Sequence, residues 1–372
     1  MRIAFFWKQY FLSGLFCTVL VLINACSSPP APPPVEAIPE FMDEIADEIA
    51  EAEEEDLSAY VPEELVLLPE DSDLPKTIFN EVWAYVVSGR EQALNNRLPI
   101  SDVVYFGADM DSYGKLVGIP NYRNIASFPG RKHLVAASSG RAITHFVLLE
   151  GSPERQELIN DLLTAARPYD GLQIDFEYVP PRAADAFITF LEELRAGLGD
   201  KMLTIALPAR IRTIQNDVYD YKKILPLVDR ILVMAYDEHW STSEPGPIAS
   251  MGWSQRVARY ALDTIGPEKL IMGLPFYGRS WGNVNANIAY VHSSIERLIR
   301  EQNIEEIHRE NGIPTFSYET PLSVTVYYED EYSLSARLEM YKNMGVNSVG
   351  FWRLGQETPS FWPVIGLEAP VR

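Results

Sequence analysis

Three carboxylates sit in and beside one short hydrophobic run. Over residues 169–178 the chain reads Y-D-G-L-Q-I-D-F-E-Y, which sets Asp170, Asp175 and Glu177 around Leu172, Ile174 and Phe176. Residues two apart on a strand share a face. Gln173, Asp175 and Glu177 therefore point one way and the three apolar residues the other. A carboxylate is seldom buried unless something pairs with it or uses it. Two of them at this spacing can divide acid and base work, because each opposes ionisation of the other. The alternative is the solvated face of an edge strand, whereas a parallel strand covered on both faces leaves no such face.

Other strand ends carry the same kind of residue. Residues 233–237 read V-M-A-Y-D and bring Tyr236 and Asp237. Residues 273–281 read G-L-P-F-Y-G-R-S-W and bring Arg279 and Trp281, with Tyr277 as a brace. Residues 350–352 read G-F-W and end on Trp352. Tyr236 and Trp352 also suit plain barrel filling, and Asp237 also suits a turn cap. The five histidines show no zincin spacing, and the chain has no dinucleotide or P-loop glycine pattern and no nucleophile elbow. Neither a metal nor a cofactor is expected.

The elements that must position these residues follow a β/α alternation after residue 75. Strands are expected at 82–87, 103–106, 133–137, 171–176, 203–207, 231–235, 270–274 and 348–352. Eight of them predict a (β/α)8 barrel, with reactive groups at the C-terminal strand ends. Helices are expected at 184–198 and 253–265, from 153 onward, and over 333–344. Residues 282–331 predict a small α+β insertion between strands seven and eight, with a helical run near 293–310, a break at Gly312-Ile313-Pro314 and a β-like stretch at 324–328.

These motifs together resemble family 18 of the glycoside hydrolases, the chitinase-like barrels. Residues 170–177 resemble the family's Asp-x-x-Asp-x-Asp-x-Glu signature, residues 234–237 its strand-six motif, and Trp352 its strand-eight tryptophan. The likeness extends over about residues 78–365. S-D-V-V-Y-F at 101–106 and D-S-Y-G at 111–114 resemble the spore-germination and cortex-lytic branch. The resemblance implies retaining hydrolysis of a glycan containing N-acetylglucosamine, assisted by the substrate's own acetamido group. It implies Glu177 as general acid, Asp175 as aligner of the acetamido group, Asp170 as its support and Tyr236 as a hydroxyl donor to it. Trp352 would floor the sugar site, while Asp237, Arg279 and Trp281 would line the cleft. The chain departs from the pattern at Gln173, where many members have Asp; its amide can still hydrogen-bond and is expected among the substrate-binding residues, though it neither carries charge nor shares a proton. Residues 137–140, A-S-S-G, only partly resemble the family's Ser-x-Gly-Gly.

The ends of the chain and its charge bound where such an enzyme works. Residues 1–25 read as a signal, with Arg2 and Lys8 ahead of an apolar core. Ala25-Cys26-Ser27-Ser28 resembles a bacterial lipoprotein site, which implies lipidation of Cys26 and membrane attachment through it. An ordinary cleaved signal and an uncleaved anchor are the alternatives, and each places the body outside the cytoplasm. Residues 26–74 read as a linker: Pro-rich over 29–39, then fifteen Asp or Glu and no Lys or Arg over 40–73. Residues 75–372 form the expected catalytic domain, monomeric and acting on an N-acetylated polysaccharide or muropeptide. The net charge of −21 argues against nucleic-acid binding. The location expected is the bacterial cell envelope, on the outer membrane where one exists, since no Asp follows Cys26. A second possibility keeps the barrel without useful turnover, as a carbohydrate-binding lipoprotein.

Overall fold

The computed structural model describes residues 73–368, apart from 139, 283–286 and 321–322. The expected signal, the lipidated Cys26, nearly all of the linker and Ser139 lie outside the described residues. Eight parallel strands close into a barrel: β1 (Glu81–Val87), β2 (Asp102–Met110), β3 (Arg131–Ser138), β4 (Gly171–Phe176), β5 (Met202–Pro208), β6 (Arg230–Met234), β7 (Leu270–Pro275) and β8 (Ser348–Trp352). Closure comes from β8 pairing with β1, with Phe351 opposite Ala84. Each strand lies at or within a few residues of its expected place.

Alternation along the strands separates two apolar populations. Leu172, Ile174 and Phe176 on β4 face the helical layer, where Phe176 stacks on Phe187 and Phe190. Trp83, Tyr85, Val104, Val135, Ala206, Leu232 and Ile271 fill the barrel interior, with Trp352 packed against them. Two inward positions require glycine. A Cβ on Gly350 would lie 2.8 Å from Leu232 Cδ1, and one on Gly273 would lie 2.7 Å from the Val233 carbonyl and 3.1 Å from Tyr236 Cε1. The interior is thus packed to the backbone beneath the site.

The helices begin and end where local chemistry dictates. Ser152 caps Pro153–Ala165 by accepting the Arg155 N–H, and Pro153 stands at the first turn where a missing N–H is harmless. Ala184–Leu198 buries Phe187, Phe190, Leu191, Leu194 and Leu198 and stops at Gly199, which adopts φ 59°. Ser250 caps Met251–Thr264, and Asp330 caps Glu331–Asn343.

The insertion is a five-stranded antiparallel sheet, ordered Ile288–Tyr290, Gly278–Gly282, Ser323–Tyr327, Ile313–Glu319, His308–Glu310. It starts at Gly278, four residues before the expected boundary of 282. The helix expected near 293–310 is shorter, His292–Glu301, and its tail turns into the strand His308–Glu310. Asn303, in the left-handed region at φ 52°, turns the chain there.

At the N-terminal end of the barrel, Thr77–Phe79 pairs in parallel with Ile365–Leu367. Beside it lies a charged plug. Arg131 reaches both Asp102 (2.6 Å) and Glu81 (2.6 Å), Arg230 reaches Glu81 (2.8 Å), and His133 Nε2 meets Asp102 at 2.8 Å. Trp83 stacks on His133 with centroids 4.4 Å apart. Burial alone would push both acids upward, but hydrogen bonds from Arg230 and Arg131 to Glu81, and from His133 and Arg131 to Asp102, outweigh it and hold both below the usual carboxylate range.

Candidate active site

At the opposite end of the barrel, β4 delivers Asp175 while still in register with β3, opposite Ala137. Its side chain is buried, and Oδ1 has no hydrogen-bond partner among the described residues. Burial first, and the neighbouring Glu177 second, push its carboxyl well above the usual range. Glu177 lies one residue past the end of β4 and opens into the cleft. Glu177 is exposed at the mouth, yet protein atoms crowd around its carboxyl, and that partial desolvation, then Asp237, raises it. Two adjacent groups thus favour holding a proton where free carboxylates would not.

A clasp fixes the backbone that carries Glu177. The buried Tyr219 hydroxyl donates to the Phe176 carbonyl at 2.7 Å and accepts the Val179 N–H at 3.0 Å. The two bonds bracket residue 177 on both sides.

β6 ends two residues before Tyr236, whose ring meets Tyr277 edge-on at 6.3 Å. Its hydroxyl has no hydrogen bond to a described residue. Burial first and Tyr85 second keep the phenol pKa well up, so it is a donor across the ordinary pH range. Asp237 sits at φ 59°, a left-handed conformation that Asp tolerates better than most residues. It accepts the Tyr277 hydroxyl at 2.6 Å and Arg279 at 2.9 Å. Arg279 in turn lies 5.8 Å above the Tyr277 ring. Trp352 ends β8 and meets Tyr85 and Phe106 edge-on at 5.2 Å and 5.1 Å.

Asp175, Glu177, Tyr236, Asp237, Arg279 and Trp352 therefore come together at the C-terminal mouth. Three sequence-derived candidates do not. Asp170 precedes β4 at the closed end, where its carboxyl accepts the Lys132 N–H at 2.8 Å. It ties β4 to β3 instead of supporting Asp175, which is five residues, or roughly 17 Å of extended chain, further on. Gln173 is fully buried inside the barrel, bonded to the Tyr85 hydroxyl and to Thr204 (3.3 Å), so it offers nothing to a substrate. Trp281 is buried in the insertion sheet and donates to the Trp240 carbonyl at 3.0 Å; it braces that wall and does not line the cleft.

Two functional positions escaped the sequence. Tyr85 stands inside the barrel between Gln173 and Trp352, with Asp175 close enough to raise its phenol further after burial. The alternation of Trp83 and Tyr85 on β1 was its one signal. Tyr219 had none, because its partners are 40 and 43 residues away.

An eight-stranded parallel barrel that gathers Asp175, Glu177, Tyr236 and Trp352 at its C-terminal mouth is the arrangement expected of a barrel glycosidase. The family of glycosyl hydrolases known as family 18 matches residues 93–357, and the chain belongs to it. Among curated relatives, it is 33% identical over 247 residues to a putative sporulation-specific glycosylase, YdhD, of Bacillus subtilis, covering 62% of this chain and 58% of that one. It is 26% identical over 238 residues to the cortical fragment-lytic enzyme of Bacillus anthracis, covering 59% of this chain and 54% of that one. The chain thus spans little more than half the length of these two relatives. The crystal structure of the Bacillus cereus spore cortex-lytic enzyme SleL shares the fold, with a TM-score of 0.70 at 21% identity over 83% of this chain and 77% of that one.

Proposed function

We propose that this chain hydrolyses β-linked glycans containing N-acetylglucosamine, with retention of configuration, and that its substrate is peptidoglycan or fragments of it. The observation that carries the chemistry is the pair Asp175 and Glu177, both raised, beside a Tyr236 hydroxyl that no described residue engages. Glu177 gives its proton to the glycosidic oxygen as the bond from C1 breaks. The substrate's acetamido oxygen attacks C1 from the other side and closes an oxazolinium ring. Asp175 holds the acetamido N–H and faces the positive charge that develops; Tyr236 donates to the acetamido oxygen. Water then attacks C1, gives its proton to Glu177 and reopens the ring. Two inversions leave the anomeric configuration unchanged. Asp237, on the facing loop, is already engaged by Tyr277 and Arg279 and does not serve as a nucleophile.

Peptidoglycan is favoured over chitin by the kinship with cortex-directed enzymes and by the N-terminal residues, taken with them as an export signal. On this proposal residues 1–25 are removed, Cys26 carries lipid, residues 26–74 tether the catalytic body, and the protein works as a monomer in the cell envelope. Metabolic labelling with a fatty acid, compared with Cys26→Ser, tests the anchor.

The catalytic proposal is tested by incubating the chain with peptidoglycan fragments and N-acetylglucosamine oligomers beside Glu177→Gln. New reducing ends should appear with the parent alone, first as the β-anomer. An α-anomer first, or equal release by both proteins, would overturn it.

A further inference from the structure

We propose that Arg90 and Arg353 form an anion subsite beside Trp352, which takes a carboxylate borne on the glycan. The inference rests on the peptidoglycan reading and extends it: every second sugar of that polymer carries a lactyl ether ending in a carboxylate or in a peptide stem, whereas chitin is neutral.

β1 and β8 are neighbours, and the turns that leave them pack together at the mouth. The Leu354 N–H donates to the Tyr85 carbonyl at 3.0 Å, and a Cβ on Gly355 would lie 3.2 Å from that of Ala93. Arg90 stands exposed on the first turn. Arg353 is half-buried on the second, directly after Trp352. Burial, then the like charge of Arg90, pull the Arg353 guanidinium below its ordinary pKa, with Glu357 opposing.

Two like charges on adjoining turns are stabilised by an anion that both can reach. The carboxylates of the same two turns are already engaged. Glu91 accepts from Tyr105, from the Gly89 N–H (3.0 Å) and from Asn124 (3.2 Å). Glu357 accepts from the Gly355 N–H (2.6 Å) and from Trp362 (3.2 Å). Neither arginine forms an ion pair with a described carboxylate, and the Arg353 guanidinium donates only a long bond of 3.4 Å to Leu354 O. A guanidinium fork matches a carboxylate in charge and geometry. The hydrolytic step uses neither residue.

The test compares the full chain with R90Q/R353Q and R90K/R353K on three substrates. These are an N-acetylglucosamine oligomer, a peptidoglycan oligomer with free lactyl carboxylates, and the same oligomer with its stem peptides. The ratio of kcat/KM for a carboxylated substrate to that for the neutral one should fall about tenfold in the glutamine variant, through KM, and partly recover with lysine. The substrate on which it falls identifies which carboxylate is held. An equal loss on all three would mean a packing role and overturn the subsite. Should the parent cut only the neutral oligomer, the peptidoglycan reading fails, and calorimetry with Glu177→Gln decides the subsite alone. A preference for the carboxylated oligomer over its amidated form, abolished by R90Q/R353Q, sustains it; no preference overturns it.

Discussion

Glu177 and Asp175 stand two residues apart in different surroundings. Asp175 is buried at the top of the barrel, while Glu177 is exposed to the cleft with the Asp237 carboxylate near it. Removing that charge should ease ionisation of Glu177. Asp237→Asn is therefore expected to move the alkaline limb of kcat/KM to lower pH, since the proton donor is lost earlier; freeing Arg279 acts in the same direction. A pH–rate profile checks this, and an unmoved limb would detach Asp237 from the acid. Glu177→Gln should lower kcat by about 100-fold or more, the usual contribution of a positioned acid, with no loss of unfolding midpoint. Asp175 makes a second claim, on stability. Its folded pKa is raised, so its favourable contribution is complete below the unfolded carboxylate pKa and disappears as pH rises through the folded one. Asp175→Asn should accordingly raise Tm by an amount that grows with pH above the ordinary carboxylate range, while turnover falls. A Tm difference flat with pH would argue against the raised carboxyl.

The elements place these side chains through a few close approaches. Tyr219→Phe leaves the Phe176 carbonyl and the Val179 N–H without their partner. It should cost about 1–3 kcal/mol of stability, as unsatisfied buried groups do, and lower kcat because Glu177 loses its bracket. Denaturant unfolding and steady-state kinetics read the two effects separately. Much of this level was legible beforehand. β4 and β8 are bounded as expected because turns flank each apolar run, and the helix Ala184–Leu198 follows its apolar stripe. The helix expected near 293–310 was overdrawn because short-range polarity hid the turn at Asn303. At the site, the motif residues Asp175, Glu177, Tyr236 and Trp352 were legible since their strand ends share one face. Asp170 was misplaced because a motif read along the chain does not say at which end of the strand a residue works. Gln173 and Trp281 were misplaced because burial by distant partners, Tyr85 and Trp240, leaves no local trace.

Across the whole barrel, chemistry and stability occupy opposite ends. Asp102 is fully buried under Arg131 and His133, so Asp102→Asn should destabilise the fold by about 3–5 kcal/mol, the scale for breaking a buried pair. Its lowered pKa means the stabilisation is present above the unfolded carboxylate pKa and lost as pH falls through the folded one. The Tm deficit of the variant should therefore shrink in acid, with kcat unaffected wherever it is folded. A matching loss of kcat would tie the plug to catalysis.

The pairing of Thr77–Phe79 with Ile365–Leu367 has a consequence of orientation. The chain enters the barrel on the face away from the mouth. Any tether that precedes residue 77 pulls on the floor of the enzyme, not on its rim. The mouth that carries Glu177 is thereby left clear of the segment through which the chain arrives.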